Sequence, residues 1–206
     1  MKKLLLASDF DRIFSKPSVQ AILSGYKNLL FIPTASYHKD YQTYFENNVR
    51  KVFETIGIAS ELLEISDKSH AQVRSALEKC DIVYIGGGNT FFLLEKLKQC
   101  NFKEALDDFL KKGGLYIGSS AGAIAACPDI GFIAPMDDPS IAKLSDNKGL
   151  GLVDFSVLPH LENKEYEEYA AAALEIANNL IKQKGLSFGL RDDQALWIRN
   201  EYVEIL

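Results

Sequence analysis

Short apolar runs alternate with amphipathic segments along almost the whole chain. The apolar runs have the length and composition of buried strands. They predict strands over Lys3–Ala7, Leu29–Pro33, Glu61–Ile65, Ile82–Ile85, Leu115–Ile117 and Phe155–Leu158. Apolar residues that recur every three or four positions predict helices over Asp40–Ile56, Ala71–Lys79, Thr90–Leu97, Phe102–Lys111 and Lys164–Lys184. Strands that are apolar throughout and alternate with helices predict a three-layer α/β fold, in which a mostly parallel sheet has helices on both faces.

The last part of the chain changes this pattern. Gly185 ends the final helix, and further strands are predicted over Leu186–Leu190, Ala195–Arg199 and Tyr202–Leu206, the last two forming a hairpin around Asn200. No internal repeat or linker interrupts the chain, so we expect residues 1–206 to form a single catalytic domain. Residues 127–150 contain several prolines and aspartates with little periodicity. They predict a long loop that lines or covers a site.

Composition narrows the class of function. The net charge of −5 gives no basic patch for nucleic acid or for an anionic membrane surface. No apolar run approaches the roughly 18 residues of a membrane-spanning helix. The apolar core near the start, Leu4–Ala7 before Asp9, is too short for a signal peptide, so we expect a cytoplasmic protein. Cys80, Cys100 and Cys127 have no metal-ligand spacing and predict free, mostly buried thiols. We expect no cofactor and no metal.

The strongest candidate for chemistry is Ser120. It lies in the sequence Gly118-Ser119-Ser120-Ala121-Gly122, which has the form G-x-S-x-G. An apolar strand precedes this sequence and a run of small residues that suits a helix start follows it. This context is typical of a nucleophile elbow, a tight strand-to-helix turn that exposes a serine hydroxyl. The alternative is a structural turn that contains a serine.

A serine nucleophile needs a base, and histidine is the usual one. The chain has three histidines. His38 and His70 lie in polar segments at predicted helix starts, which favours surface positions. His160 follows the predicted strand that ends at Leu158, and ligands of parallel α/β sheets bind at the carboxyl ends of strands. His160 is therefore the predicted base, with a solvated histidine at a strand exit as the alternative.

The carboxylate that would orient the histidine has two candidate positions. Asp137 and Asp138 lie in the long loop after the elbow, whereas Asp192 and Asp193 follow a late predicted strand. A strand end holds a side chain more rigidly than a long loop does, so Asp192 is the preferred candidate. Glu162, two residues beyond the histidine, is a weaker candidate and is expected to be solvated.

A glycine-rich turn, Gly86-Gly87-Gly88-Asn89-Thr90, connects a predicted strand to a predicted helix. Backbone N–H groups in such a turn can bind an anion. Neither a dinucleotide fingerprint nor the lysine of a nucleotide P-loop is present, so nucleotide binding is not indicated. The turn fits better as a donor to an oxyanion opposite the elbow, with a purely structural turn as the alternative.

The glycine turn, the elbow and Leu158-Pro159-His160, in this order and spacing, resemble the peptidase E and cyanophycinase family of serine peptidases. The resemblance extends over nearly the whole chain. It implies a class I glutamine-amidotransferase-like fold with Ser120 as nucleophile and His160 as base. It also implies that the N–H groups of Gly88 and Ala121 bind the oxyanion. Relatives have an aspartate where this chain has Pro135, and an acidic residue in the late strand that corresponds to Asp192.

The resemblance implies a serine-type peptidase that hydrolyses short peptides through a Ser-His-acid triad and a covalent acyl-enzyme. An amidase or acyl-transfer hydrolase on the same fold, or a non-catalytic anion-binding module, is the alternative. The aspartyl dipeptidases carry an arginine after the catalytic histidine, whereas residues 163–169 here contain no arginine and several glutamates. Such an acidic lining disfavours an aspartyl side chain, so strict specificity for N-terminal aspartate is not expected.

Overall fold

The computed structural model describes residues 1–37, 40–163, 167–182 and 185–206 of the chain. The strands are β1 (Lys3–Ala7), β2 (Asn28–Ile32), β3 (Ala59–Leu62), β4 (Ile82–Ile85), β5 (Leu115–Ser119), β6 (Ser156–Leu158), β7 (Ser187–Gly189), β8 (Ala195–Arg199) and β9 (Tyr202–Ile205). The α-helices are α1 (Phe10–Ile13), α2 (Pro17–Leu23), α3 (Tyr41–Tyr44), α4 (Lys51–Glu54), α5 (His70–Leu77), α6 (Thr90–Gln99), α7 (Phe102–Lys111), α8 (Ala121–Ala125) and α9 (Glu167–Lys182). A π-helical segment, Phe45–Arg50, joins α3 to α4. Short 3₁₀ helices lie at Thr34–Ser36, Gly131–Ile133 and Pro139–Ile141.

A seven-stranded sheet organises the molecule, with the strand order β3-β2-β4-β5-β1-β8-β9. Strands β1 to β5 are parallel, whereas β8 runs antiparallel to β1 and forms a hairpin with β9. In the register of the sheet, Ala7 at the end of β1 lies opposite Ser119 at the end of β5. This pairing brings Ser8 and Ser120, the residues that follow, to the same carboxyl edge of the sheet.

Apolar side chains cover both faces of the sheet, as a parallel sheet between helix layers requires. On β1, Leu4 and Leu6 pack into a core with α5 to α8, whereas Leu5 packs into a second core with α1, α2 and the α3–α4 region. All three leucines are fully buried. This arrangement confirms the predicted three-layer α/β fold.

The structure differs from the sequence prediction at several elements. The strand predicted over Phe155–Leu158 exists as β6, but it pairs with β7 in a separate two-stranded sheet. The helix predicted over Asp40–Ile56 is divided by the π-helical segment. Of the helix predicted over Lys164–Lys184, residues 164–166, 183 and 184 lie outside the described residues. Helices α1 and α2 were not predicted, since each is too short for a clear apolar period. Among the described residues, no helix is both long and apolar enough to span a membrane.

Candidate active site

Ser120 lies at the turn between β5 and α8, in a backbone conformation that serine rarely adopts (φ 50°, ψ −111°). Its N–H donates to the Ala7 carbonyl at 3.0 Å, which holds the turn against β1. The two glycines of the G-x-S-x-G sequence have no room for a side chain. A Cβ on Gly118 would lie 2.5 Å from the Gly122 carbonyl oxygen, and one on Gly122 would lie 2.2 Å from that of Ile85. Backbone strain of roughly 1–3 kcal/mol is typical of residues held this way at functional sites.

The His160 imidazole faces the Ser120 hydroxyl. Its Nε2 lies 2.9 Å from Ser120 Oγ, which is hydrogen-bond distance. The residue follows the Leu158 end of β6 and has a left-handed backbone (φ 59°). The His160 N–H donates to Ser8 Oγ at 2.7 Å, so the end of β1 fixes this turn. Two predicted residues from distant segments thus lie in contact.

Asp192 is on the other side of the imidazole, with Oδ1 2.6 Å from His160 Nδ1. Its two carboxylate oxygens have different donors. Oδ1 accepts a hydrogen bond from Ser8 Oγ at 3.0 Å, and Oδ2 accepts one from Asn163 Nδ2 at 2.8 Å. The side chain is 14% exposed, against 22% for His160. Hydroxyl, imidazole and carboxylate therefore form a continuous hydrogen-bonded chain, the arrangement that activates a serine nucleophile.

Ser8 and Asn163 are the residues of this arrangement that sequence reasoning missed. Ser8 is fully buried and is hydrogen-bonded to both His160 and Asp192. The one available signal was its position directly after an apolar strand, at an edge where ligands of α/β sheets gather. Asn163 has no distinguishing local pattern.

The loop aspartates have other partners. Asp137 Oδ2 accepts the Thr90 N–H at 2.7 Å, at the start of α6. Burial raises the pKa of Asp137, while hydrogen bonding from Thr90 and the electrostatic influence of the nearby His160 oppose that rise. Asp138 accepts the Ser140 N–H at 2.8 Å, and this bonding holds the pKa of its exposed carboxyl below the usual value. Neither aspartate has a hydrogen bond to the imidazole among the bonds of the described residues.

The other catalytic candidates from the sequence have different surroundings or lie outside the described residues. The Asp193 carboxylate is 3.5 Å from Arg191, and Glu162 is exposed. His70 Nδ1 lies 3.2 Å from the Asn101 carbonyl oxygen, at the start of α7. His38 falls outside the described residues.

The glycine turn packs directly against the elbow. A Cβ on Gly87 would lie 3.2 Å from Ser120 Cβ. Gly88 has a φ of 137°, and a Cβ there would lie 2.2 Å from the Ala35 carbonyl oxygen. Ser36 Oγ donates to the Gly87 carbonyl at 2.7 Å, which fixes the turn. Ala121 is the first residue of α8, and N–H groups in a first helical turn have no acceptor within the helix.

Two clefts open at this arrangement, and both are bordered by Gly88, Ser120 and His160. The first, the tyrosine cleft, has a volume of about 400 Å³ and is lined among others by Asp9, Asp40, Tyr41, Tyr44 and Gly87. The second, the loop cleft, has a volume of about 500 Å³ and is lined among others by Ile133, Met136, Asp137, Asp138, Ile141 and Asn163. Residues 127–150 therefore contribute a wall of the site, as their composition predicted.

The three cysteines are free thiols, which confirms the prediction. Cys100 and Cys127 are buried, and burial raises the pKa of the Cys127 thiol to about 12, so it stays neutral. Its Sγ accepts the Val157 N–H at 3.2 Å and thereby supports β6. Within the described residues, no group of three or more His, Cys, Asp or Glu side chains has the geometry of a metal site.

The chain is similar to known peptidases over most of its length. The pattern of peptidase family S51 matches residues 4–206. The uncharacterized peptidase Lmo0363 of Listeria monocytogenes is 35% identical over 208 residues, covering 98% of this chain and 97% of that protein. Peptidase E of Nostoc sp. is 35% identical over 169 residues, covering 79% of this chain and 66% of that protein.

Solved structures extend the similarity to the whole fold. The crystal structure of a putative peptidase E protein from Listeria monocytogenes EGD-e has a TM-score of 0.87 and 32% identity, covering 100% of this chain and 98% of that one. A peptidase from an acI-B1 actinobacterium has a TM-score of 0.74 at 19% identity, covering 100% and 87%, and shares the fold. The fold is thus that of peptidase E, as the three motifs predicted.

Proposed function

Because the chain belongs to peptidase family S51 and is a serine peptidase, we propose that it hydrolyses short peptides with Ser120 as nucleophile, His160 as general base and Asp192 as the orienting acid. The observation that carries this proposal is the hydrogen-bonded chain of 2.9 Å from Ser120 Oγ to Nε2 and 2.6 Å from Nδ1 to the carboxylate. We infer further that residues 1–206 act as one catalytic domain.

In the first half of the reaction, Ser120 Oγ attacks the carbonyl carbon of the scissile peptide bond. His160 Nε2 takes the hydroxyl proton as the C–O bond forms, and a tetrahedral intermediate with a negative oxygen results. The N–H groups of Gly88 and Ala121 are the proposed donors to that oxygen. When the intermediate collapses, the C–N bond breaks, and the leaving amine takes the proton from His160.

The second half repeats this chemistry with water. His160 removes a proton from a water molecule, whose oxygen attacks the carbonyl carbon of the acyl-enzyme. Collapse breaks the ester bond, returns the proton to Ser120 Oγ and releases the free acid. Asp192 accepts the Nδ1–H throughout, which keeps Nε2 unprotonated in the resting enzyme and stabilises the imidazolium that forms in each half.

An active-site-directed fluorophosphonate tests the nucleophile and the base together. We expect stoichiometric labelling of the wild-type enzyme at Ser120, none in Ser120→Ala, and labelling slowed by at least about 10³-fold in His160→Ala. Peptide hydrolysis should fall in parallel in both variants.

Two matched variants control for local damage. Ser119→Ala removes the neighbouring buried hydroxyl, whose Oγ accepts the Phe10 N–H at 3.0 Å. His70→Ala removes a histidine that lies on α5. Both should keep the label. Labelling of Ser120→Ala at the wild-type rate would refute the assignment, and an absence of labelling in every protein would favour the anion-binding alternative.

The amidase alternative is decided by the substrate. Ser120 acylation would be common to both activities, so labelling does not separate them. A panel that pairs each dipeptide with the simple amide of its first residue does, because the two scissile bonds have similar intrinsic reactivity. A peptidase should show the higher kcat/KM on the dipeptide, because the residue after the scissile bond contributes binding energy.

A further inference from the structure

From the charges around the nucleophile we infer that the tyrosine cleft selects substrates with a cationic side chain on the residue that precedes the scissile bond. This inference rests on the proposed function, since it assumes that substrate reaches Ser120. It names Asp9 and Asp40 as specificity-determining residues and opposes a preference for aspartyl substrates.

The tyrosine cleft gives access to the nucleophile. The tyrosine cleft contains Ser120 and His160 in its wall, so any group that reacts with the serine has its neighbouring atoms in this cleft or in the loop cleft. A volume of about 400 Å³ is within the range of small-ligand sites, roughly 300–1,000 Å³. A long basic side chain fits within that space.

The charged side chains of the tyrosine cleft are acidic. Asp9 and Asp40 are the carboxylates that line the tyrosine cleft, and none of its described lining residues is lysine or arginine. Hydrogen bonds from the Thr43 hydroxyl and N–H lower the pKa of Asp40, so it is ionised at neutral pH. Asp9 forms an ion pair with Arg12 at 3.3 Å, which offsets part of its charge and leaves Asp40 as the stronger attraction.

Aromatic side chains form part of the wall of the tyrosine cleft. Tyr41 and Tyr44 line the same cleft as the two carboxylates. The Tyr44 hydroxyl donates to Asp11 Oδ2 at 2.8 Å, which fixes the ring. Aromatic faces attract ammonium and guanidinium groups, whereas they offer nothing to a carboxylate. An aspartyl side chain in this cleft would meet like charges and would lose its hydration without gaining a partner.

The test compares substrates that differ only in charge. One arm pairs arginine with citrulline, and aspartate with asparagine, as the first residue of otherwise identical dipeptides. A second arm N-acetylates each dipeptide, which separates a cationic side chain from the α-ammonium group as the source of the charge. We expect kcat/KM to favour arginine over citrulline by about tenfold, and asparagine over aspartate by a similar factor, whereas an effect of N-acetylation alone would not support the inference.

Two isosteric variants connect the preference to the cleft. Asp9 caps α1 and Asp40 caps α3. Asparagine caps a helix about as well as aspartate, so Asp9→Asn and Asp40→Asn remove charge and retain the fold. Asp40→Asn should reduce the cationic preference to within about threefold of unity, and Asp9→Asn should reduce it less.

Two control variants test whether the preference for a cationic substrate depends on the tyrosine cleft. Asp138→Asn removes an equal charge from the loop cleft, and Asp146→Asn removes one that is paired with Lys98 at 2.7 Å. Both should leave the preference intact. Equal rates on charged and neutral substrates would overturn the inference, and so would a preference that Asp138→Asn abolishes and Asp40→Asn does not.

A binding measurement makes the outcome independent of turnover. Arginine amide should slow fluorophosphonate labelling at concentrations where citrulline amide does not, and Asp40→Asn should remove the difference. Equal protection by the two amides would count against the inference while the labelling itself still supports the nucleophile. Failure to label Ser120 at all would instead refute the proposed function.

Discussion

Replacing Asp192 by asparagine should lower kcat by about 10⁴-fold, equivalent to about 5 kcal/mol of transition-state stabilisation. The neighbours of the carboxylate explain the size of this effect. Asn163 donates an N–H to Oδ2, and His160 Nδ1 faces Oδ1 at 2.6 Å. If the new amide nitrogen faced Asn163, two N–H donors would lie opposite each other with no acceptor between them. The amide nitrogen therefore faces the imidazole and donates to Nδ1, and the Ser8 hydroxyl, which can rotate, gives up its donation at that position.

That reversal changes the tautomer of the base. If Nδ1 accepts a hydrogen bond, the proton of the neutral imidazole is on Nε2, which then cannot accept the Ser120 proton. The fold should be retained, because the volume is unchanged. The assay is kcat and kcat/KM on a hydrolysed dipeptide, together with the rate of fluorophosphonate labelling.

Two further variants make the reasoning refutable. Asp137→Asn keeps an oxygen to accept the Thr90 N–H, so it should cost less than about tenfold. The double variant Asp192→Asn/Asn163→Asp gives the amide group an acceptor and lets the amide oxygen face Nδ1. It should recover at least about tenfold of the lost rate. A loss in Asp137→Asn that equals or exceeds the loss in Asp192→Asn would refute the assignment, and a double variant no faster than the single one would refute the tautomer argument.

Three other perturbations have defined outcomes. Ser8→Ala leaves the His160 N–H without its acceptor and should lower kcat by about 10- to 100-fold with little change in KM. A change in KM alone would contradict a positioning role for Ser8. Gly88→Ala places a Cβ 2.2 Å from the Ala35 carbonyl oxygen and should lower the free energy of unfolding by at least about 1–3 kcal/mol. It should also slow fluorophosphonate labelling. An unchanged urea unfolding curve would contradict this prediction. Partial desolvation raises the pKa of Asp11, so its ionisation disfavours folding as pH rises above the unfolded carboxyl value of about 3.9, but the exposure of the residue keeps this effect small. Asp11→Asn should therefore be slightly more stable than the wild type in urea at pH 7, with a gain that disappears below about pH 4.

The parts of the site that sequence predicts are those encoded locally. The elbow needs small residues on either side of Ser120, and the glycine turn needs Gly88 because of its positive φ. Both requirements fall within a few adjacent positions, so the pattern is visible in the chain. The strands β1 and β4 are predicted with their observed bounds for the same reason, since each is a short run of buried apolar residues.

The parts that sequence leaves open depend on contacts between distant segments. Two sets of aspartates were compatible with local context, and the choice of Asp192 depended on a preference for strand ends over loops. Its contact with His160 spans 32 positions, and the contact of Ser8 with His160 spans 152. No local pattern reports such a contact. The pairing of β6 with β7 outside the main sheet is of the same kind, because two short apolar runs give no indication of which partner each will choose.

The place of β1 in the sheet has a consequence for how the enzyme is made. This strand emerges from the ribosome before both of its neighbours, β5 and β8, and it ends at the serine that hydrogen-bonds Asp192 across 184 positions. Domains fold as units during synthesis, and contacts between distant segments form late. A nascent chain therefore carries Ser120 for some 70 residues of translation before Asp192, the proposed acid, exists. On the proposed triad, peptidase activity therefore requires that synthesis of the sheet is almost finished.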